Sequence, residues 1–153
     1  MSALDMPLSA IMTKDVASIP PTTPVEDAVR KMLEHGVLGL PVEDAAGAVV
    51  GVFSMTDALW AAQESAAGEA ENSFYDAGAL LHLIHSERPV DRAKLPVSSL
   101  MNQHVVALEP DATVQEAAAL MSARRIHRIL VLDDAKHLLG VVTTLDVCRH
   151  VSS

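Results

Sequence analysis

A seven-residue pattern able to hold a ligand occurs twice in this chain. The pattern is G-x-x-[ST]-x-x-D, present as Gly51, Ser54 and Asp57 and again as Gly140, Thr143 and Asp146. In both places a stretch that reads as a strand passes into one that reads as a helix. The glycine permits close approach of backbone. The hydroxyl and the first helical N–H groups can hold an anion, helped by the helix dipole. The carboxylate three residues later lies about one turn further along the same face. Ionised, it only accepts hydrogen bonds, which suits a diol such as a ribose. A single copy is better explained by helix capping, with Ser or Thr before the helix and Asp in its first turn. Two copies at one spacing, at the same kind of junction, favour a ligand.

A second group is Arg124-Arg125-Ile126-His127-Arg128 in a chain of formal net charge −9. His127 lies on an expected strand that is otherwise apolar, and the charged Arg128 beside it needs a partner or water. Phosphate serves both: a guanidinium binds it bidentately and an imidazole donates to it. Arg124 and Arg125 read as the solvated end of a helix. Other candidates are weaker. His82 and His85 stand three apart on a helix expected over 73–85, but two ligands without a third read as a solvated face rather than a metal site. Cys148 reads as a small core residue, since no base accompanies it. Met12, Met32, Met101 and Met121 read as core filler. No catalytic triad, phosphate-binding loop or dinucleotide fingerprint is present, so no catalytic or metal-binding residue is assigned.

These side chains are carried by an internal repeat. Residues 7–57 and 96–146 align without a gap at a constant offset of 89. Each copy reads strand–helix–strand–strand–helix. In the first, Val16–Ile19 is a strand ended by Pro20-Pro21, and Thr23, Pro24 and Glu26 form a capping box with proline at the first helical position. Val37–Val42 and Ala48–Phe53 are the next strands, and a helix starts near Thr56. In the second copy Val105–Leu108, Ile126–Leu132 and His137–Val142 are strands. There Thr113 and Glu116 form the capping box, and a last helix starts near Leu145. The division expected is 7–60, an insert over 61–95 that is small, acidic and then helical, and 96–150. The offset pairs His127 and Arg128 with Leu38 and Gly39, so the copies differ where a phosphate would lie.

Composition narrows the classes of function. Half of the 153 residues are hydrophobic, enough for one packed domain or two small halves. Aromatics are 3%, too few for a base-stacking platform, and the acidic balance also argues against nucleic acid. No apolar run approaches the roughly 20 residues of a membrane span. Met1–Asp5 lacks the basic and apolar regions of a secretory signal, and a single cysteine gives no internal disulfide. A soluble cytoplasmic protein is expected.

Taken in order, the motifs resemble the cystathionine-β-synthase (CBS) domain, and their doubling resembles a Bateman module. The first copy carries Ile11-Met12-Thr13, Ile19-Pro20-Pro21, Val25-Glu26-Asp27-Ala28, Leu40-Pro41-Val42 and Gly51…Ser54…Asp57. The second carries Leu100-Met101, Leu108-Glu109-Pro110, Val114-Gln115-Glu116-Ala117, Ile129-Leu130-Val131 and Gly140…Thr143…Asp146. Leu130 stands where the family usually has proline. The resemblance implies an α/β (α+β) fold of two βαββα repeats packed sheet to sheet with pseudo-twofold symmetry. It implies clefts for AMP, ADP, ATP or S-adenosylmethionine, with Mg²⁺ as a companion of ATP left open. By the resemblance Asp57 and Asp146 hold the ribose, and Ser54 and Thr143 help with phosphate. Adenine then packs on Ala17, Val37, Leu38 and Gly39 in one copy, and on Val106 and Ile126 in the other. Ile126-His127-Arg128-Ile129 is similar to a phosphate-contacting segment of the gamma subunit of AMP-activated protein kinase, which favours a phosphorylated ligand. The family also implies a homodimer. The expectation is thus a non-catalytic adenine-nucleotide sensor that acts on a separately encoded enzyme or transporter. The rivals are an interaction module with empty clefts and a nucleotide phosphohydrolase.

Overall fold

The structure is a computed structural model that describes residues 2–65 and 92–153. The helix expected over 73–85, with His82 and His85, lies outside the described residues, as does most of the expected insert. In chain order the elements are α1 (Val25–His35), β1 (Gly39–Glu43), β2 (Val49–Ser54), α2 (Met55–Ser65), β3 (Ala107–Leu108), α3 (Val114–Arg124), β4 (Arg128–Leu132), β5 (Leu138–Thr143) and α4 (Thr144–Val151). Short 3₁₀ turns occupy Ala3–Asp5, Leu8–Ala10, Arg92–Lys94 and Val97–Ser99. The mixed α/β class expected from the repeat is what forms. No helix among the described residues is long and apolar enough to cross a membrane.

The described residues gather into two compact units. One comprises residues 2–16, 46–49 and 105–153; the other comprises residues 17–45, 50–65 and 92–104. Each unit joins the opening of one repeat to the body of the other. In the first unit Leu8 N donates to Ala112 O (2.8 Å), and Thr13 and Val141 exchange two backbone bonds (2.9 Å each). In the second, Val97 N donates to Thr23 O (2.8 Å), and Asn102 and Val52 exchange two bonds (2.9 Å each). Leu8 and Val97 are fully buried, Leu8 with Val114 and Ala117, Val97 with Val25 and Val29.

In the first unit β3 runs parallel to β4 and β4 antiparallel to β5, with Arg128 opposite Thr143. In the second, β1 pairs with β2. The strand expected over Val16–Ile19 shrinks to one parallel bridge, Ile19 to Val42, where Ile19 N donates to Pro41 O (3.0 Å) and accepts from Glu43 N (2.9 Å). Pro20 and Pro21 follow at once, and proline has no N–H to extend a ladder.

The helix starts correct one expectation. Thr113 caps α3 and Glu116 closes the box (Thr113 N to Glu116 Oε2, 2.7 Å), as the sequence indicates. In the first repeat Thr23 does not cap. The N-cap is Pro24, with no side-chain bond, and α1 begins at Val25. The offset of 89 places Pro24, not Thr23, opposite Thr113. Neighbouring backbone meets the first helical N–H of both helices alike, Val25 N donating to Leu95 O and Val114 N to Met6 O (2.9 Å each). The helix ends also match. Gly36 closes α1 at φ 63°, and its counterpart Arg125 closes α3 at φ 54°. Arg124 and Arg125 are solvent-exposed, as expected of a helix end.

Candidate functional site

The two G-x-x-[ST]-x-x-D segments fold alike, one in each unit. The last strand residue supplies the hydroxyl, and the carboxylate turns back onto it from the first helical turn. At α2, Asp57 Oδ2 accepts from Ser54 N (2.8 Å) and Ser54 Oγ (2.9 Å), and Asp57 N donates to Ser54 Oγ (3.3 Å). At α4, Asp146 Oδ2 accepts from Thr143 N (2.8 Å) and Thr143 Oγ1 (2.8 Å), and Asp146 N donates to Thr143 Oγ1 (3.2 Å). Both pairs are therefore capping boxes. Among the described residues Oδ1 of each aspartate carries no hydrogen bond, so each carboxylate keeps an oxygen for a diol.

The glycines answer to packing. Gly51 and Gly140 are buried, and neither has positive φ. A Cβ on Gly140 would lie 2.7 Å from both Met12 Sδ and Thr13 O; one on Gly51 would lie 2.7 Å from Met101 Sδ and 3.0 Å from Asn102 O. The group that approaches each glycine closely is the chain itself. Met32 and Met121 are buried core residues, while Met12 and Met101 are half-buried and seated on these glycines.

Around α4, His127 O accepts from Thr144 N (3.0 Å), and Thr144 Oγ1 lies 3.5 Å from His127 Nδ1. Arg128 opens β4 across from Thr143, a spacing of about 5 Å between Cβ atoms in such pairs. His127 lies just before β4 rather than within it, and both His127 and Arg128 are exposed. The expected cost of holding charge on an apolar strand is thus absent, because water reaches both groups. No ion pair engages Arg128 among the described residues. Val106 O accepts from Leu130 N (3.3 Å), and Ile126 is half-buried against the core of this unit. Thr144 is a polar neighbour that sequence reading missed. Its signal was available: it follows Thr143, and the offset pairs it with Met55.

Around α2 the frame is the same with other side chains. Leu38 O accepts from Met55 N (2.9 Å), and the Leu38 side chain is 65% exposed. Gly39 lies against Ser54, whose Cα would be 3.8 Å from a Cβ there. Ala17 and Val37 pack half-buried on the core of this unit. Each unit so brings its own candidate residues to one end of its strands.

Two charged groups elsewhere are perturbed. Hydrogen bonds from Thr113, led by its backbone N–H, hold the Glu116 carboxyl below its ordinary range. The His137 backbone N–H does the same for Asp133. Cys148 is exposed rather than in the core. Among the described residues no cluster of three His, Cys, Asp or Glu is placed to hold a metal.

A family model for the CBS domain matches residues 8–64 and 97–153. The chain is 26% identical over 136 residues to 5'-AMP-activated protein kinase subunit gamma-3 of Bos taurus, covering 89% of this chain and 24% of that protein. It spans about a quarter of the length of the curated relatives it matches first. Among solved structures it is similar to CBSX2 in complex with AMP, with a TM-score of 0.70 and 27% identity over 94% of this chain and 93% of that one. It is similar in fold to the CBS domain pair of protein MJ0100 in complex with 5-methylthioadenosine and S-adenosyl-L-methionine, with a TM-score of 0.70, 20% identity and 94% of each chain covered.

Proposed function

This chain belongs to the CBS-domain family as a tandem pair, and from that premise we propose that it is a non-catalytic sensor of adenine nucleotides. The observation that carries the reading is the doubled cap, in which Asp57 and Asp146 each keep Oδ1 beside a helix N-terminus. The similar CBSX2 structure holds AMP, which supports an adenosyl ligand over an empty module. Asp146 accepts from the ribose hydroxyls, and Thr143 meets the phosphate. His127, Arg128 and Thr144 supply further donors to that phosphate, and Ile126 and Val106 face the adenine. Asp57, Ser54, Ala17, Val37, Leu38 and Gly39 form the matching set in the other unit. AMP, ADP and ATP share this chemistry. Ligand that prefers one of two arrangements of the chain shifts their populations, and a regulated enzyme or transporter reads the shift. The protein acts in the cytoplasm as a homodimer.

The test is calorimetry and thermal unfolding with AMP, ADP, ATP and S-adenosylmethionine. Ligand at 100 times its dissociation constant adds about 2.7 kcal/mol of stability. Asp146→Ala weakens the nucleotide, and replacing His127 and Arg128 by alanine weakens ATP more than adenosine. No response to any adenosyl compound overturns the reading. Conversion of nucleotide to product over hours establishes the enzyme instead.

A further inference from the structure

The two candidate sites share a backbone, and at three positions a polar side chain in one faces an apolar residue or glycine in the other. Met55 N donates to Leu38 O at 2.9 Å, as Thr144 N donates to His127 O at 3.0 Å. The aspartates sit identically in their caps, each with Oδ2 2.8 Å from the N–H of the capping residue. On this common frame His127, Arg128 and Thr144 are replaced by Leu38, Gly39 and Met55. The three donors beyond the cap are therefore absent from the second site, and only the cap hydroxyl is common to both, as Ser54 and Thr143.

Gly39 is not imposed by the fold. It has no positive φ, and a Cβ there would meet nothing nearer than Phe53 O at 3.6 Å, an ordinary contact. Gly51 and Gly140, by contrast, have no room for one. A long side chain is sterically admissible at Gly39, and the chain lacks one. Beside it Leu38 presents 65% of its surface to solvent. Of the lysine and arginine on α1, Arg30 pairs with Asp27 (2.9 Å) and Lys31 donates to the Ser18 carbonyl (2.7 Å). A phosphate placed over Leu38 and Met55 would lose water and gain no donor from these side chains, a net cost. An uncharged group there covers apolar surface, a gain.

We propose that the site of Leu38, Gly39, Ser54, Met55 and Asp57 takes a phosphate-free adenosyl compound, a nucleoside with an uncharged 5′ substituent. The site of His127, Arg128, Thr143, Thr144 and Asp146 takes the phosphorylated one. The division rests on the adenosyl reading above. It gives the protein two inputs, one for nucleotide charge and one for a neutral adenosyl metabolite.

The experiment is calorimetry on the full chain with AMP and with 5'-methylthioadenosine. The variants are Asp57→Ala, Asp146→Ala and the triple variant L38H/G39R/M55T. Wild type takes one AMP per chain. Asp146→Ala weakens AMP by about tenfold or more, the scale of a lost charged hydrogen bond, and leaves 5'-methylthioadenosine bound. Asp57→Ala does the reverse. The triple variant gains a second AMP. Two AMP per wild-type chain, or equal loss of AMP in both aspartate variants, overturns the division while leaving the sensor reading intact. Binding of neither probe to wild type overturns both. If the triple variant fails to fold, the two aspartate variants decide the matter alone.

Discussion

A carboxylate that already closes a helix cap can still receive a ligand, because it has two oxygens. Asp146 spends Oδ2 on Thr143, and Asp57 spends Oδ2 on Ser54. Capping and ligand binding are thus complementary at these residues: the cap fixes the rotamer that aims Oδ1. The glycine of the same motif has a different task, leaving room for Thr13 O and Met12 at Gly140. Gly140→Ala forces backbone against backbone and costs about 1–3 kcal/mol, the range for overpacking. Gly39→Ala meets only ordinary contacts and changes stability by less than about 0.5 kcal/mol. Urea unfolding of both variants checks this, and equal losses would contradict the packing role.

At the scale of elements, the second repeat keeps the turns of the first without its glycines. Gly36 and Gly47 have positive φ, and so do their counterparts Arg125 and Lys136. Around Lys136 the β4–β5 turn is tied by Asp133, whose Oδ1 accepts from the N–H groups of Ala135 (3.0 Å) and His137 (2.8 Å). Its Oδ2 lies 3.1 Å from His137 Nδ1, and His137 Nε2 lies 3.2 Å from Ala46 O. Both ring partners are acceptors, so only the charged imidazole donates to both. Because the Asp133 carboxyl is held below its ordinary range, its contribution is complete above the unfolded-chain value near 4 and is lost as pH falls through its own lower midpoint. Carboxyl carbon titration by NMR places that midpoint below those of ordinary aspartates. His137→Ala removes the ring bond and its charge but keeps the largest cause, the backbone N–H of residue 137, so the Asp133 carboxyl stays below its ordinary range.

At the scale of the molecule, the repeat in sequence and the unit in space are different divisions. Leu8 belongs to the first repeat, yet it is buried with Val114 and Ala117 of the second. Leu8→Ala therefore costs about 2–5 kcal/mol, as for other buried leucines. The damage appears in the unit of β3, β4 and β5. Hydrogen exchange accelerates first at amides such as Ile129 and Val142, and Leu40 and Phe53 remain protected. Faster exchange at Leu40 and Phe53 alone would show that the opening belongs with its own repeat.

The repeat, the α/β class, the strand–helix junctions and the pairs Ser54–Asp57 and Thr143–Asp146 are legible in the residues alone, because they follow from local periodicity and a constant offset, although the doubling favoured a ligand over the caps that form. The sequence also determined that Leu38 and Gly39 stand where His127 and Arg128 do. It misplaced the cap of α1 by one residue, since Thr23 and Pro24 look like a good start until Pro24 is set opposite Thr113. Contacts through space settle which body each opening packs on, why Gly51 and Gly140 have no side chain, and that His127 and Arg128 stand in water beside Thr144. These depend on groups far apart in the chain that meet through space, and no local pattern records such a meeting.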